Sequence, residues 1–356
     1  MANGVQIGGG RARGISKVIG AVCMVVIVVL LASVISVMSL EFSERLADVE
    51  SIEVYDDERC AGDQVLVFEG DFDRFHDQLT DNPCALWLEG GTLVTDGSDR
   101  VQQWTDQGPH RSHATQADPD DRPTLYPAGT GPGGIDAPVV GFENEASLRS
   151  GCSPGDAEWT AGCSGGGNSG IRHYDEGQSL RIDRDLTGLG IDESTGMAVA
   201  AVVYVERFDR GGTWTIGEAG ASGREFSMRT RGDDETWPWN APVPPANHWR
   251  AQHWDVADVD FEVDSHREWI VLIHAYDGER TTIRAGGSEV AVEETELDLS
   301  NSRDVQVGRW ERTDGDPSFY FHGAIAELLV FDRAMSEDEL TDLEAYFESR
   351  YDVVSG

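Results

Sequence analysis

Pairs of carboxylates separated by one residue are the first feature that could do chemistry. Residues i and i+2 of a strand face the same side, and a retaining glycoside hydrolase needs two carboxylates about 5–5.5 Å apart. The order Glu-x-Asp occurs at Glu262 with Asp264 and at Glu296 with Asp298. The further acid of a Glu-x-Asp-x-x-Glu motif is missing, because Arg267 and Asn301 stand there. With 65 acidic residues, chance pairs are expected, so no enzyme is predicted.

Four tryptophans lie close together in a stretch rich in proline, asparagine and histidine. They are Trp237, Trp239, Trp249 and Trp254. The stretch is predicted to be a loop of about 20 residues, and loops of that length in a compact domain often carry function. Exposed indoles stack on sugar rings, while neighbouring polar side chains bind hydroxyl groups. Alternatively the indoles pack the loop onto the domain, because large aromatic side chains are mostly buried. The sequence leaves both interpretations open.

Calcium is the metal that the acidic side chains could bind, because it prefers carboxylate oxygens. The candidates are Asp314, Asp316 and the run 118–121. Acidic residues are so frequent that these clusters alone assign no site. Zinc is not expected, because the sequence has no Cys-x-x-Cys motif. No other cofactor is predicted.

Five cysteines are present, of which Cys23 lies in an apolar stretch near the N-terminus. The other four are Cys60, Cys84, Cys152 and Cys163. Four thiols allow three pairings, and the short sequence separations favour Cys60–Cys84 and Cys152–Cys163. Disulfides persist outside the cell. The second bridge would close a Gly- and Ser-rich loop and stabilise it by about 2–3 kcal/mol.

The charge of the chain excludes some partners. The formal net charge is −38, and every acidic residue follows Leu40. A surface this acidic repels nucleic acids and anionic membrane surfaces, so neither is expected to bind it. Lysine occurs once, at Lys17, and the other basic residues are arginines. This composition is typical of adaptation to molar salt, where the Debye length shrinks to about 3 Å and self-repulsion is tolerable.

Residues 18–40 are uncharged and apolar enough to cross a membrane. As a helix they would span about 35 Å, more than the roughly 30 Å of a bilayer core. Basic residues precede the stretch and acidic residues follow it, which places the N-terminus inside. The sequence therefore predicts a single-pass protein of the cell membrane with an extracellular C-terminal domain.

The residues before this stretch, RGISK at 13–17, resemble the class III leader of haloarchaeal type IV pilins. In that family a prepilin peptidase cuts after the small residue that follows the basic one. The resemblance implies that Arg13 precedes a cleavage site between Gly14 and Ile15. The sequence departs from the family at Lys17, where proline is usual.

This resemblance also implies a division of the N-terminal part of the chain. Residues 1–14 would be the leader peptide, and residues 15–56 a hydrophobic anchor and assembly helix with a stalk. Its partners would be prepilin peptidase and other pilin subunits in a surface filament. An uncleaved signal anchor is the alternative.

Beyond residue 84 the pattern is that of a β protein. Short apolar or alternating segments recur between Gly, Asp, Asn and Pro, and predict a sandwich or barrel. The predicted strands are 85–88, 101–104, 138–142, 179–182, 197–205, 213–216, 225–229, 268–275, 281–284, 305–310 and 324–331. One helix closes the chain, because Ser336 and Glu339 can form a capping box. Its apolar face comprises Leu340, Leu343, Phe347 and Tyr351.

Two segments, 85–127 and 307–353, resemble the first and last parts of LamG-like domains of the concanavalin A-like lectin/glucanase group. The spacing Gly-x-Ile-Ala-Glu-x-x-x-Phe-x-Arg at 323–333 is the most specific part. The resemblance implies a jelly-roll sandwich of two antiparallel sheets over residues 85–354. Such domains mostly bind glycans or proteins, and some relatives are glycosidases.

Two remaining segments complete the predicted organisation: 57–84 connects stalk and head, and 145–177 is an inserted loop. The expected fold class is an N-terminal transmembrane α-helix plus a mainly-β jelly-roll sandwich with a short C-terminal helix. The expected function is a minor pilin-like subunit whose head binds glycan or protein for adhesion. The alternatives are a singly anchored surface lectin and a membrane-anchored glycoside hydrolase.

Overall fold

The structure is a computed structural model. It describes residues 68, 70, 75, 78, 85–108, 111–143, 177–182, 184, 189, 196–208, 211–231, 248–299, 305–311 and 318–353. The predicted leader, anchor helix, stalk and cleavage site lie outside these residues, as do all five cysteines and residues 145–176 of the inserted loop. Within the described residues, no helix is long and apolar enough to cross a membrane.

The described part of the chain is built almost entirely from β-strands. They are β1 (Ala85–Thr95), β2 (Val101–Asp106), β3 (Ala114–Thr115), β4 (Thr124–Tyr126), β5 (Val139–Phe142), β6 (Leu180–Ile182), β7 (Met197–Val205), β8 (Gly211–Gly217), β9 (Glu225–Arg231), β10 (His248–Gln252), β11 (Val259–Glu262), β12 (Trp269–Tyr276), β13 (Arg280–Ala285), β14 (Ser288–Glu294), β15 (Val305–Val307), β16 (Arg309–Glu311), β17 (Ser318–Tyr320) and β18 (Gly323–Phe331). One 3₁₀ turn, Pro132–Gly134, and one helix, α1 (Glu337–Tyr351), complete them.

The strands form two layers that share one hydrogen-bonded network. Sheet A has the order β14–β13–β12–β7–β18–β1, with β5 and β4 beside the N-terminal half of β18. Sheet B has the order β11–β10–β9–β8–β15–β6–β3–β2. Strand β1 joins them, since it pairs with β18 and, past a register shift between Leu88 and Leu93, with β2.

The central strands of sheet A, β7, β12 and β18, are buried on both faces. Strand β7 shows this best, because its side chains alternate between two apolar clusters. Val199 and Val203 lie in the larger cluster, and Ala200 and Val202 lie in the smaller one. The larger cluster also contains side chains of sheet B, so it fills the space between the sheets; they include Trp214, Phe226, Met228, Trp249 and Val305.

Helix α1 covers the other face of sheet A. Ser336 accepts a hydrogen bond from the backbone N–H of Glu339, whose carboxylate accepts one from the Ser336 N–H, so the predicted capping box is confirmed. The predicted apolar face is confirmed as well, since Leu340, Leu343, Phe347 and Tyr351 are buried in the smaller cluster. Arg284 of β13 adds an ion pair to Glu344 at 2.6 Å.

A buried carboxylate fastens α1 to the sheet. Glu327 of β18 is fully buried and accepts hydrogen bonds from Trp87 Nε1 at 2.7 Å and from the Tyr351 and Tyr346 hydroxyls at 2.5 and 3.2 Å. Burial raises the pKa of Glu327, although the Arg350 guanidinium, 3.6 Å away, acts in the opposite direction. A polar group this deep needs such partners to offset its lost hydration.

Most of the predicted secondary structure is confirmed. Every strand segment predicted from residue 85 onward overlaps an observed strand, and the fold is a mainly-β sandwich with one C-terminal helix. The prediction of a continuous loop around the four tryptophans is wrong at β10, which sits in sheet B between β9 and β11. Its period-2 pattern, His-Trp-Arg-Ala-Gln, is short and was hidden by the proline-rich residues before it.

The Glu327 cluster predicts a large effect of one substitution. Glu327→Ala should lower the free energy of unfolding by about 3–5 kcal/mol, because it leaves Arg350 and three hydrogen-bond donors without their shared acceptor. Glu327→Gln should cost less, since its amide oxygen still accepts. Chemical denaturation measures both. The control is Glu293→Ala on the exposed strand β14, expected within about 0.5 kcal/mol of the parent. Equal effects at 327 and 293 would contradict the proposed role of the cluster.

Candidate functional site

Strand β9 directs a row of polar side chains away from the core of the sandwich. Phe226 and Met228 point into the larger apolar cluster. Because successive side chains alternate between the faces of a sheet, the odd-numbered residues of β9 lie on the outer face of sheet B. These are Glu225, Ser227, Arg229 and Arg231, all of which are buried. A buried polar row on the outside of a sheet is unusual and marks this face as a candidate site.

The neighbouring strands extend this row sideways. In β10, His248 lies opposite Arg231, Arg250 opposite Arg229, and Gln252 opposite Ser227. Two arginines directly across a ladder repel each other, but each guanidinium has its own acceptor. Arg250 makes a bidentate pair with Asp260 of β11 at 2.6 and 2.5 Å, and Arg229 donates to the Gln252 side-chain oxygen.

Charge therefore balances locally on this face. Partial burial acts to raise the pKa of Asp260, but the hydrogen bonds and charge of Arg250 outweigh it and hold that pKa below its usual value. The carboxylate stays ionised and keeps the arginine in place. The outer face of sheet B thus carries polar side chains that are paired with one another.

Aromatic rings cover these paired polar side chains. Trp310 of β16 and Phe319 of β17 are buried against them, and the guanidinium carbon of Arg229 lies 4.3 and 5.2 Å from the centroids of the two rings. These are distances at which a cation is attracted to an aromatic face. Trp254, in the connection between β10 and β11, stacks on Trp310 with ring centroids 5.9 Å apart and planes inclined by 23°.

A glycine lets the β16–β17 hairpin lie directly on sheet B. Gly212 of β8 pairs with Tyr320 of β17. A Cβ atom at Gly212 would come within 2.4 Å of the backbone nitrogen of Trp310. Any side chain there would push the hairpin, and with it the ring of Trp310, off the polar row.

Glu225 holds Trp310 in this position. Its fully buried carboxylate accepts hydrogen bonds from Trp310 Nε1 at 2.5 Å, from the backbone N–H of Gly220 at 2.8 Å, and from the Ser227 hydroxyl. Burial raises the pKa of Glu225, while these donors and the charge of Arg229 act against the shift. The groups bound to Glu225 are donors and not a second carboxylate, so its surroundings fit an anchor for the indole better than half of a glycosidase pair.

We call the side chains assembled in this way the Trp–Arg face. It comprises Glu225, Ser227, Arg229, Gln252, Trp254, Trp310 and Phe319. Sequence reasoning singled out only Trp254 among them. The alternation in Glu-Phe-Ser-Met-Arg-Thr-Arg indicates a polar side of β9, but not that β16 and β17 fold over it.

The four predicted tryptophans separate into different environments. Trp249 is fully buried in the core, where its Nε1 donates to the Ser265 hydroxyl at 3.0 Å, so packing is its observed role. Trp254 is half-buried and belongs to the Trp–Arg face. Trp237 and Trp239 lie outside the described residues. The segment that carries them, 232–247, connects Arg231 of β9 to His248 of β10, two residues that lie opposite each other in the ladder.

The other predicted sites are resolved only in part. Asp314 and Asp316 fall outside the described residues. The run 118–121 is described, and there the Asp118 carboxylate accepts from the backbone N–H of Asp120 at 3.0 Å, a local turn contact. In the part of the chain that the structure describes, no group of three or more metal-ligating side chains comes together. Calcium binding stays a prediction for the remainder.

No family model matches the chain, and no curated protein matches it. Among solved structures, it is similar to the binding domain of Paraclostridial Mosquitocidal Protein 1, at 10% identity and a TM-score of 0.44 over 76% of this chain and 53% of that one. The binding domain of botulinum neurotoxin DC in complex with rat synaptotagmin II is 9% identical, with a TM-score of 0.39 over 77% of this chain and 53% of that one. The Ruminococcus gnavus IT-sialidase CBM40 bound to alpha2,3 sialyllactose is 14% identical, with a TM-score of 0.37 over 47% of this chain and 92% of that one. The chain thus spans about half the length of the two toxin chains.

The close contact at Gly212 predicts the effect of adding one methyl group. Gly212→Ala should destabilise the protein by about 1–3 kcal/mol, because the methyl group overlaps the backbone of Trp310. Thermal unfolding measures the loss as a melting temperature lower by several degrees. Gly97→Ala is the matched control, since a Cβ atom there meets nothing within 4 Å. If both variants melt at the same temperature, the hairpin does not depend on this contact.

Proposed function

We propose that the chain is a cell-surface glycan-binding protein whose ligand lies on the Trp–Arg face. The observation that carries the proposal is the half-buried indole of Trp254, stacked on a fully buried Trp310 beside paired polar side chains. An indole offers a flat apolar surface for the C–H groups of a pyranose ring. Gln252 and Arg229 are buried beside the stacked rings and support them, so the proposed contact with the ligand is made by the exposed part of Trp254.

Rigidity supports this proposal. Trp254 is held by its stack on Trp310, which the Glu225 carboxylate fixes in turn. A ligand that binds such a prearranged surface loses less affinity to the ordering of side chains. A flexible aromatic on an open loop would not have this advantage.

Trp237 and Trp239 belong to the proposal because of where their segment is attached. Its two ends, Arg231 and His248, lie opposite each other on β9 and β10, the strands that carry the Trp–Arg face. Further indoles on this connection would lengthen the surface available to an oligosaccharide. Carbohydrates commonly need several stacked residues, because each ring contributes little by itself.

The Trp–Arg face predicts that one aromatic ring controls binding. Trp254→Ala should lower the affinity for the glycan that binds best on an array by tenfold or more. Trp254→Phe should lower it less, because it keeps a ring that can stack. Titration calorimetry measures both. Tyr126→Ala, a half-buried ring of β4 outside the Trp–Arg face, is the control and should leave affinity unchanged. If Trp254→Ala binds as tightly as the parent while remaining folded, the ligand does not contact this face.

We further propose that residues 18–40 anchor the protein in the cell membrane as a pilin-like subunit. The support is in the sequence: an uncharged stretch long enough to cross a bilayer, preceded by the Arg13-Gly14 junction. Cleavage after Gly14 would leave a mature chain that begins with its hydrophobic helix. Copies of that helix could then pack together through small residues. Without cleavage the protein would be a singly anchored surface lectin.

The N-terminus of the native protein distinguishes these two states. Mass spectrometry of protein purified from its own membranes should find Ile15 as the first residue. Gly14→Val, which replaces the small residue before the cut, should leave the precursor intact, whereas Gly10→Val outside the junction should have no effect. A native start at Met1 or Ala2 would rule out pilin-like processing and favour the single anchor.

A further inference from the structure

Two histidines face each other in the interior of the sandwich. His253 follows β10 and His274 lies on β12, so the pair joins sheet B to sheet A. Both side chains are fully buried, and their Nε2 atoms are 3.1 Å apart. The ring of His274 stacks on Phe226 with centroids 3.6 Å apart. Nothing in the proposed function uses this pair.

Hydrogen bonds define how many protons the pair can hold. His253 Nδ1 lies 3.0 Å from the carbonyl oxygen of Ala257, which can only accept, so Nδ1 carries a proton. The neutral pair holds one further proton, which His274 Nε2 can donate to His253 Nε2. A third proton makes the buried pair cationic, and it either lies on His274 Nδ1, which has no hydrogen-bond partner, or brings two N–H groups face to face between the Nε2 atoms.

The same hydrogen bond closes a strained turn. Residues 253–258 connect β10 to β11, and three of them have left-handed backbone conformations: Trp254 (φ 50°), Asp255 (φ 60°) and Ala257 (φ 49°). Such conformations are unfavourable for residues with a side chain. The turn is held by His253 at two points, its backbone N–H donating to the Asp258 carboxylate at 2.8 Å and its ring to Ala257.

We propose that the His253–His274 pair is an acid-sensitive latch that releases this turn, and with it Trp254, when the pair gains protons. The consequence for binding rests on the proposed function of the Trp–Arg face. Trp254 is adjacent to His253 in the chain and reaches the outer face of the sheet, while the histidine ring points inward. Opening the turn would hydrate both rings and unstack Trp254 from Trp310.

The charges around the pair set the direction of the switch. Burial lowers the pKa of His253, although the Ala257 carbonyl and the Asp258 carboxylate act in the opposite direction. Burial and the neighbouring His253 hold the pKa of His274 far below the histidine value. The other strands in contact present uncharged groups: Phe226 from β9 and the Thr281 hydroxyl from β13, 3.4 Å from His253 Nε2.

The direction of the pH dependence follows from the linkage between proton binding and opening of the turn. The closed turn excludes protons that hydrated histidines would bind below about pH 6.5. The turn is therefore most stable above that pH, and its opening constant rises as the pH falls. The rise is up to tenfold per pH unit for each histidine that gains a proton.

The test follows Trp254 directly, without a ligand. The full chain, labelled with 5-fluorotryptophan and kept in detergent and molar KCl, is titrated from pH 7.5 to 4.5 by ¹⁹F NMR. Trp254→Phe assigns the Trp254 resonance by its loss. We expect the chemical shift of this resonance to change below pH 6.5, as Trp254 unstacks from Trp310. The resonances of the other tryptophans should keep the chemical shifts of the folded protein. If the Trp254 resonance stays unchanged in the folded protein down to pH 4.5, the latch does not exist.

Two variants separate the latch from general acid effects. His253→Asn keeps an N–H that can reach the Ala257 carbonyl but cannot titrate, so only His274 can gain a proton and the pH dependence of the Trp254 resonance should be less steep than in the parent. His274→Leu should make the transition less steep, from up to two protons to one. His266→Asn, at an exposed histidine, is the control and should titrate like the parent. A parent-like transition in both pair variants would overturn the proposal.

The outcome is distinguishable from that of the binding experiment. The ¹⁹F titration can fail while Trp254→Ala still abolishes glycan binding, and then the site stands without the latch. The latch can also hold at a face that binds no glycan. If both hold, glycan affinity of the parent should fall below pH 6.5, and that of His253→Asn should fall less steeply.

Discussion

Burial of the central strands of sheet A on both faces is the constraint on which the rest of the molecule depends. Strands β7, β12 and β18 are buried along their whole length, whereas an antiparallel sheet commonly leaves one face to water. Sheet B covers one side and α1 the other. Among the described residues, the outer face of sheet B is then the broad sheet surface that carries polar side chains, and the Trp–Arg face forms there.

Two buried carboxylates solve the same problem on opposite sides of the sandwich. Glu327 accepts from the indole of Trp87 and fastens α1, and Glu225 accepts from the indole of Trp310 and fastens the β16–β17 hairpin. Each needs several donors because burial without them is costly. Glu327 belongs to the 323–333 spacing that most resembles LamG-like domains. The glutamate of that spacing therefore docks the helix on the sheet.

Strand β10 and the turn after it connect the core to the candidate site. Trp249 points inward, Gln252 points to the outer face, and His253 contacts His274 of the other sheet. A change of charge in the core can therefore reach Trp254 over a single peptide unit. The strained turn makes this connection sensitive, since its left-handed residues persist only while their surroundings hold them.

Local pattern was sufficient to predict much of the fold. The alternating strands, the capping box at Ser336 and the apolar face of α1 could all be predicted because neighbours in sequence determine them. Strands such as β10 and β14 could not. β10 lies beside a proline-rich stretch, and β14, Ser-Glu-Val-Ala-Val-Glu-Glu, is exposed and acidic where a half-buried strand would show a clear apolar side.

By itself the sequence determined a mainly-β domain with a C-terminal helix, an acidic surface, and a group of tryptophans worth examining. Only the tertiary structure decided that Trp249 belongs to the core and Trp254 to the surface. It also decided that Glu225 meets Trp310, 85 positions away, and that His253 meets His274. The physical reason is that strand order and register, which bring distant residues together, arise from the packing of whole sheets, and no local pattern in the chain records them.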